Sequence, residues 1–379
     1  MQVYLDNAAT TSLDPAVLEA MLPYMSDHYG NPSSTHAHGR QTRSAIEQAR
    51  KQVAELLNIT PSEVFFTSGG TEADNTALRC TVDSLDIQRV ITSRIEHHAV
   101  LHTVEELEKH HNLQVDYVEL DAKGSINFDH LEQLLKQPGA ALVSLMHGNN
   151  EVGNITDIQR VGALCQEYHA AFHSDTVQTI AHYPLDLKQI PVHCIAGAAH
   201  KFHGPKGVGV LYIAKGHKIC PLMYGGGQER NMRGGTENLY GIVGLAKALE
   251  LSYAQLDEHT RHIRALKQRM INGLREQIPG VQFNGLSDDL DNSLYTVLNV
   301  SLPPSEDNSM LLFNLDLHQI SASGGSACSS GAQLGSHVLR ELNSDPSRGA
   351  IRFSFSRHNT TEEIDYTVKT VAALYPVNA

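Results

Sequence analysis

Phe65-Phe66-Thr67-Ser68-Gly69-Gly70-Thr71-Glu72 reads as a strand that runs into Gly-rich backbone and then opens a helix. Free amides and the positive end of a helix would face an anion there, so the turn suits a phosphate, although the same pattern also serves as a plain tight connection. Outward from it, short β-rich runs at 63–67, 89–92, 113–118, 140–146, 170–173 and 192–195 alternate with amphipathic stretches, most of them helical. This alternation predicts an α/β fold, a mostly parallel sheet covered on both faces. A further strand at 207–213 follows its predecessor so closely that an antiparallel position fits it. Upstream, Asp14-Pro15 carries the cap and first-turn proline of a helix start, and Ala45, Ile46, Ala49, Val53 and Leu56 line one face of a helix over 34–57. Downstream, one long helical stretch at 242–278 leads to a separate α+β unit with β-runs at 296–302 and 350–355 and a helix at 361–373.

The 379 residues are 41% apolar and 19% charged, enough for a sizeable core. Twenty-nine basic against 42 acidic residues leave a net charge of −13, which penalises a polyanion-binding face, so no nucleic-acid partner is expected. The first ten residues lack the basic start and apolar run of a signal peptide, and no stretch approaches the roughly 18 apolar residues of a membrane span. A soluble, cytoplasmic protein is therefore expected. Cys80, Cys165, Cys194, Cys220 and Cys328 are odd in number and lack CxxC or Cys/His ligand spacing, which argues for free thiols and against a structural metal site.

In open α/β sheets ligands bind beyond the carboxyl ends of the strands. Asp175 and Gln178 follow the strand at 170–173, and Lys201 follows the next. A lysine desolvated at a strand end makes a plausible Schiff-base amine, and an acid on the adjacent strand end can pair with a pyridinium nitrogen. Singly, each residue also fits a surface ion pair. Together with the Gly-rich loop they form a constellation for pyridoxal phosphate.

Tyr4 to Thr11, Gly30-Asn31-Pro32-Ser33-Ser34, Thr67 to Glu72, Glu96-His97-His98-Ala99-Val100, His147 to Gly153, His200-Lys201, Gly225 to Arg230 and Ser326-Ala327-Cys328 resemble, in order, the motifs of the cysteine desulfurases. The resemblance runs from residue 4 to about residue 368. It implies a pyridoxal-phosphate transferase of fold type I with a seven-stranded sheet, a large domain at 14–255 and a small domain at 1–13 and 256–379, assembled as a homodimer. Lys201 would hold the cofactor, Asp175 its ring nitrogen, Gln178 and Asn150 its hydroxyl, and His97 would stack on the ring and transfer a proton. Gly70, Thr71 and His200 would cradle the phosphate, and Thr236 would reach the partner subunit's phosphate. Asn31, Asn150 and Arg352 would contact the substrate, Arg352 as the carboxylate clamp. His98 reads as an ordinary helix-surface histidine. Two positions depart from the family: Ala198 and Gly234 stand where a serine is usual, which removes one or two hydroxyl contacts to the cofactor.

The stretch Ser321 to Gly331 is small, polar and Gly-rich, and so is expected to be a mobile loop that exposes Cys328, whereas Cys80, Cys165 and Cys194 fall in or beside predicted elements. Locally, Cys328 can be reactive or incidental; the resemblance makes it the thiolate that takes sulfur from L-cysteine, leaving alanine. Its Ser-Ala-Cys form resembles the class that serves iron-sulfur assembly. The partner implied is an iron-sulfur scaffold or another sulfur acceptor, and transient contact of Cys328 with a cluster is the one metal contact. Alternative readings are a selenocysteine lyase or aminotransferase of the same fold, and a silent sulfur-relay scaffold.

Overall fold

In the computed structural model, which describes residues 1–111, 113–324 and 335–375, the chain opens on a short strand, β1 (Val3–Tyr4), and helices α1 (Pro15–Ser26) and α2 (Ala37–Leu56). Asp14 caps α1 by accepting the Ala16 N–H at 2.8 Å. Helix α2 begins at Ala37 rather than at 34, because the Asn31 side chain and carbonyl draw the N–H groups of Ser33 and Ser34 into a turn.

Strand and helix then alternate through β2 (Val64–Thr67), α3 (Gly70–Leu85), β3 (Arg89–Thr92), α4 (His98–His111), β4 (Gln114–Tyr117), α5 (Phe128–Leu135), β5 (Ala141–Ser144), α6 (Ile158–Glu167), β6 (Ala171–Asp175), β7 (Cys194–Ala198), β8 (Gly209–Ile213) and α7 (Leu239–Ala254). Strands β2 to β8 form one seven-stranded sheet in the order β2-β8-β7-β6-β5-β3-β4. It is parallel except that β8 runs antiparallel to β2 and β7. Every residue of β2, β3 and β5 is buried, the condition that makes parallel strands read as continuous runs. Strands β6 and β7 continue past the expected 173 and 195, since pairing of Ser174 with Ile195 and Asp175 with Ala196 carries the ladder through residues of low β propensity. That extension puts Asp175 and Ala198 at the strand ends.

The helical stretch expected as one element is two, α7 and α8 (Leu256–Gln277), separated by Gln255 at φ −119°. Their apolar faces serve different cores. Leu245 and Leu249 of α7 join the cluster under the sheet, whereas Ile263, Leu266 and Met270 of α8 join a second cluster with Val3, Leu298 and Phe353. Around that second core lie β9 (Gln282–Phe283), β10 (Val297–Pro304), α9 (Leu311–Leu317), β11 (Ile320–Ser321), α10 (His337–Glu341), β12 (Arg348–Ser354) and α11 (Thr361–Ala373). Strand β10 pairs antiparallel with β12 and β9, and β1 pairs in parallel with β11, which ties the first residues of the chain to this unit. Among the described residues no helix is long and apolar enough to cross a membrane.

Candidate functional site

The ends of β6 and β7 and the start of α3 open on one cleft. Gly70, Thr71, His97, Asn150, Asp175, Gln178, His200, Lys201 and Arg352 all line it. Lys201 Nζ donates to the carbonyls of Ala8 at 2.7 Å and Ala9 at 2.9 Å, and Gln178 Nε2 donates to Ala8 at 3.0 Å. The segment after β1 is laced to the turn after β7 by Thr11 N–H to the His200 carbonyl at 2.9 Å and by His203 N–H to Thr11 Oγ1 at 2.7 Å. This fixes the amine over the end of the sheet.

Asp175 Oδ1 accepts the Val177 N–H at 2.8 Å, leaving Oδ2 for another donor. Burial pushes its carboxyl up to about 6, against the Val177 amide and the Lys201 charge. His97 Nδ1 accepts the Ala99 N–H at 3.1 Å, so the proton of the neutral ring sits on Nε2. Burial, then the charge of Lys201, lowers His97 to about 4, and the same causes in the same order lower His200 to about 4. His200 Nδ1 lies 3.2 Å from Thr10 Oγ1.

Arg352 is only 1% exposed; it donates to Asp6 Oδ1 at 2.8 Å and to the Asn150 carbonyl at 2.9 Å. Two expected site residues lie elsewhere. Asn31 is exposed in the turn before α2, and Thr236 lines a separate pocket with Phe66 and Arg233. Cys328, with most of its loop, lies outside the described residues. The chain on either side of that stretch flanks the cleft: Ser323 exchanges backbone hydrogen bonds with Arg352, and His337 lines the wall.

The class-V aminotransferase family profile matches residues 3–367. A protein named cysteine desulfurase IscS from Dictyoglomus turgidum is 42% identical, covering 97% of this chain and 93% of its own length. A solved NifS-like protein superposes with a TM-score of 0.91 at 38% identity over 99% of both chains. Another solved structure, SspA in complex with cysteine, reaches 0.81 at 30% identity over 95% of this chain and all of its own. The chain belongs to the cysteine desulfurases of the class-V aminotransferase family.

Pyridoxal phosphate is the cofactor of this family, and the cleft fits it. The desulfurase presents a buried carboxylate with one oxygen available, a lysine at a strand end, and a helix start so close to the next turn that a Cβ on Gly70 would lie 2.7 Å from Val177 Cγ2. His98 corrects the sequence reading: instead of standing on a helix surface, it lines the cleft and packs on His337, ring centroids 4.5 Å apart, and on His102 at 4.7 Å. Burial, then the neighbouring histidines, depresses its basicity. Sequence reading assigned no role to the carbonyls of Ala8 and Ala9, to Asp6 or to Asp74. For Asp74 a signal existed, since it follows Gly70 and Thr71 by four and three residues and so shares their helix face. Among the described residues no group of three or more His, Cys, Asp or Glu gathers to hold a metal ion.

Proposed function

We propose that this desulfurase takes the sulfur of free L-cysteine onto Cys328 and passes it to an acceptor protein. The observation that carries the site assignment is the convergence of Lys201, Asp175 and the buried Arg352 on one cleft whose flanking chain leads to Cys328. Bound pyridoxal phosphate would supply the electron sink that lets the α-carbon of cysteine release its proton. Arg352 grips the substrate carboxylate with its planar fork, held by Asp6 and the Asn150 carbonyl. Lys201 would hold the cofactor until substrate binds, and its amine is placed to take up the α-proton and later return it; His97, neutral with its proton on Nε2, serves as donor. The Cys328 thiolate then attacks the substrate sulfur: an S–S bond forms, the C–S bond breaks, and its electron pair is protonated at carbon to give alanine.

A homodimer supports Thr236 reaching a second active site, and exposed Leu18, Leu22, Met25, Tyr224 and Tyr240 offer apolar surface for it. The reading includes a cytoplasmic location, an iron-sulfur scaffold or another sulfur-acceptor protein serving cluster assembly or tRNA thiolation, and domains at 14–255 and 1–13 with 256–379. Mass spectrometry after incubation with L-cysteine tests the core of it. An adduct of one sulfur atom on Cys328 is expected; undiminished alanine formation by Cys328→Ala would overturn the assignment in favour of a lyase or aminotransferase.

A further inference from the structure

Asp74 and Asp175 on the cleft wall, and Glu96 behind it, are exposed by only 1, 6 and 1%. His173 and Asp175 stand two residues apart on β6 and so share one face of the strand. Asp74 of α3 lies against that face, its Oδ1 3.3 Å from His173 Nε2. Both atoms are buried and neither makes a hydrogen bond, so each faces the other as an unpartnered polar atom. On the far side of the ring, His173 Nδ1 meets Ser144 Oγ at 2.9 Å. The titratable groups facing this spot are Asp74 from α3, His173 and Asp175 from β6, Glu96 and His97 from the segment before α4, and Lys201 from the turn after β7. Three buried carboxyls facing one lysine cannot all ionise.

We propose that Asp74 is a positioning residue carried as a neutral carboxylic acid facing His173 Nε2, so that at neutral pH Asp175 is the one ionised carboxylate of that face. An ion pair is the competing arrangement. It would need a charged His173, and burial drives that ring down to about 3. Burial, then the charges of Asp175 and Glu96, raises Asp74 well above the usual carboxylate range. With a protonated Asp74 facing Nε2, the neutral His173 carries its own proton on Nδ1, directed at Ser144 Oγ at 2.9 Å. Asp175 is then left to pair with a cationic ring nitrogen undisturbed by a second negative charge. This purpose rests on the role proposed for Asp175, whereas the protonation of Asp74 can be read in the cofactor-free protein.

The test uses isotope-edited infrared spectra of that protein with carboxyl-labelled aspartate. At pH 7 a protonated-carboxyl band is expected that Asp74→Asn abolishes; its absence from the native protein overturns the proposal. Unfolding supplies a second measure. A carboxyl raised in the folded state gives stability that is complete below its unfolded value and lost as pH rises. Asp74→Asn should therefore match the native protein at pH 4 and exceed it increasingly toward pH 8, and a deficit equal at every pH would overturn the idea. In the holoenzyme, Asp74→Asn should preserve the pH profile of the visible absorbance, and Asp74→Ala should displace it and weaken cofactor binding about tenfold. Equal profiles for both variants would refute the positioning role even if the infrared band is present.

Discussion

Ala198 closes β7 on the wall of the cleft, its Cβ 3.7 Å from the position a Cβ on Gly70 would take. A hydroxyl there would point among the groups assigned to the phosphate, where the family resemblance implies a serine. A hydrogen bond to a charged group contributes about 1.5 to 3 kcal/mol, so Ala198→Ser should retain cofactor about ten- to a hundredfold longer on dialysis, followed by visible absorbance. No change would show that another group already fills the role. Arg352 allows a different kind of test. Its guanidinium spans Asp6 and the Asn150 carbonyl, a geometry an ammonium cannot reproduce. Arg352→Lys should raise KM for cysteine by about tenfold or more while kcat falls less. These residues were legible in sequence because each follows or lies within a strand whose position the apolar pattern fixes. Asp6, Ala8 and Ala9 were not, since their contacts come from backbone and side chains carried to the cleft by β1 pairing with β11, more than 300 residues away in sequence. His98 was misread for a related reason: its helical spacing cannot reveal that His337 of a distant helix covers it.

Helix α3 meets the turn after β6 through Gly70, and that contact sets how near the helix start can come to a bound anion. A methyl at Gly70 would press on Val177 Cγ2 at 2.7 Å, forcing the helix start away from the cleft. Gly70→Ala should weaken cofactor binding, and Val177→Ala in the same chain should restore most of it; a double variant as weak as the single one would show that the helix start, not the clash, is at fault. Strands β2, β3 and β5 were legible as elements because burial on both faces leaves a continuous apolar signature. The antiparallel place of β8 followed from the shortness of its connection. Less visible were the ends of β6 and β7, where pairing rather than propensity sets the boundary, and the break at Gln255, where the helical period runs on although the core being served changes. The two-residue strands β1, β9 and β11 carry too few residues to show any period at all.

Across the whole molecule, burial sets a group of histidines well below their ordinary basicity. His97, His147, His182, His200 and His217 are depressed to about 4 and His173 and His203 to about 3, burial being the first cause in every case. Such a ring stays neutral in the fold but takes a proton on unfolding below about 6.5, so its contribution is complete above that pH and is lost as pH falls toward the folded value. Asp74 and Glu96 act in the opposite sense, since each holds a proton in the fold that the unfolded chain releases above about pH 4, and Asp175 joins them only below its folded value of about 6. The histidines outnumber these carboxyls, and unfolding near pH 5.5 should take up a net two to four protons, equivalent to about 3 to 5 kcal/mol lost per pH unit. Urea midpoints of the cofactor-free protein should accordingly drop steeply between pH 6.5 and 5, and a flat profile over that range would contradict the neutral state assigned to these rings. The same measurement bears on catalysis. His97 is set low enough to remain neutral across this window, so an acid limb in the rate that tracks the fall in midpoint reports loss of the fold, whereas a limb lying well above it reports titration of a group in the cleft or of the substrate.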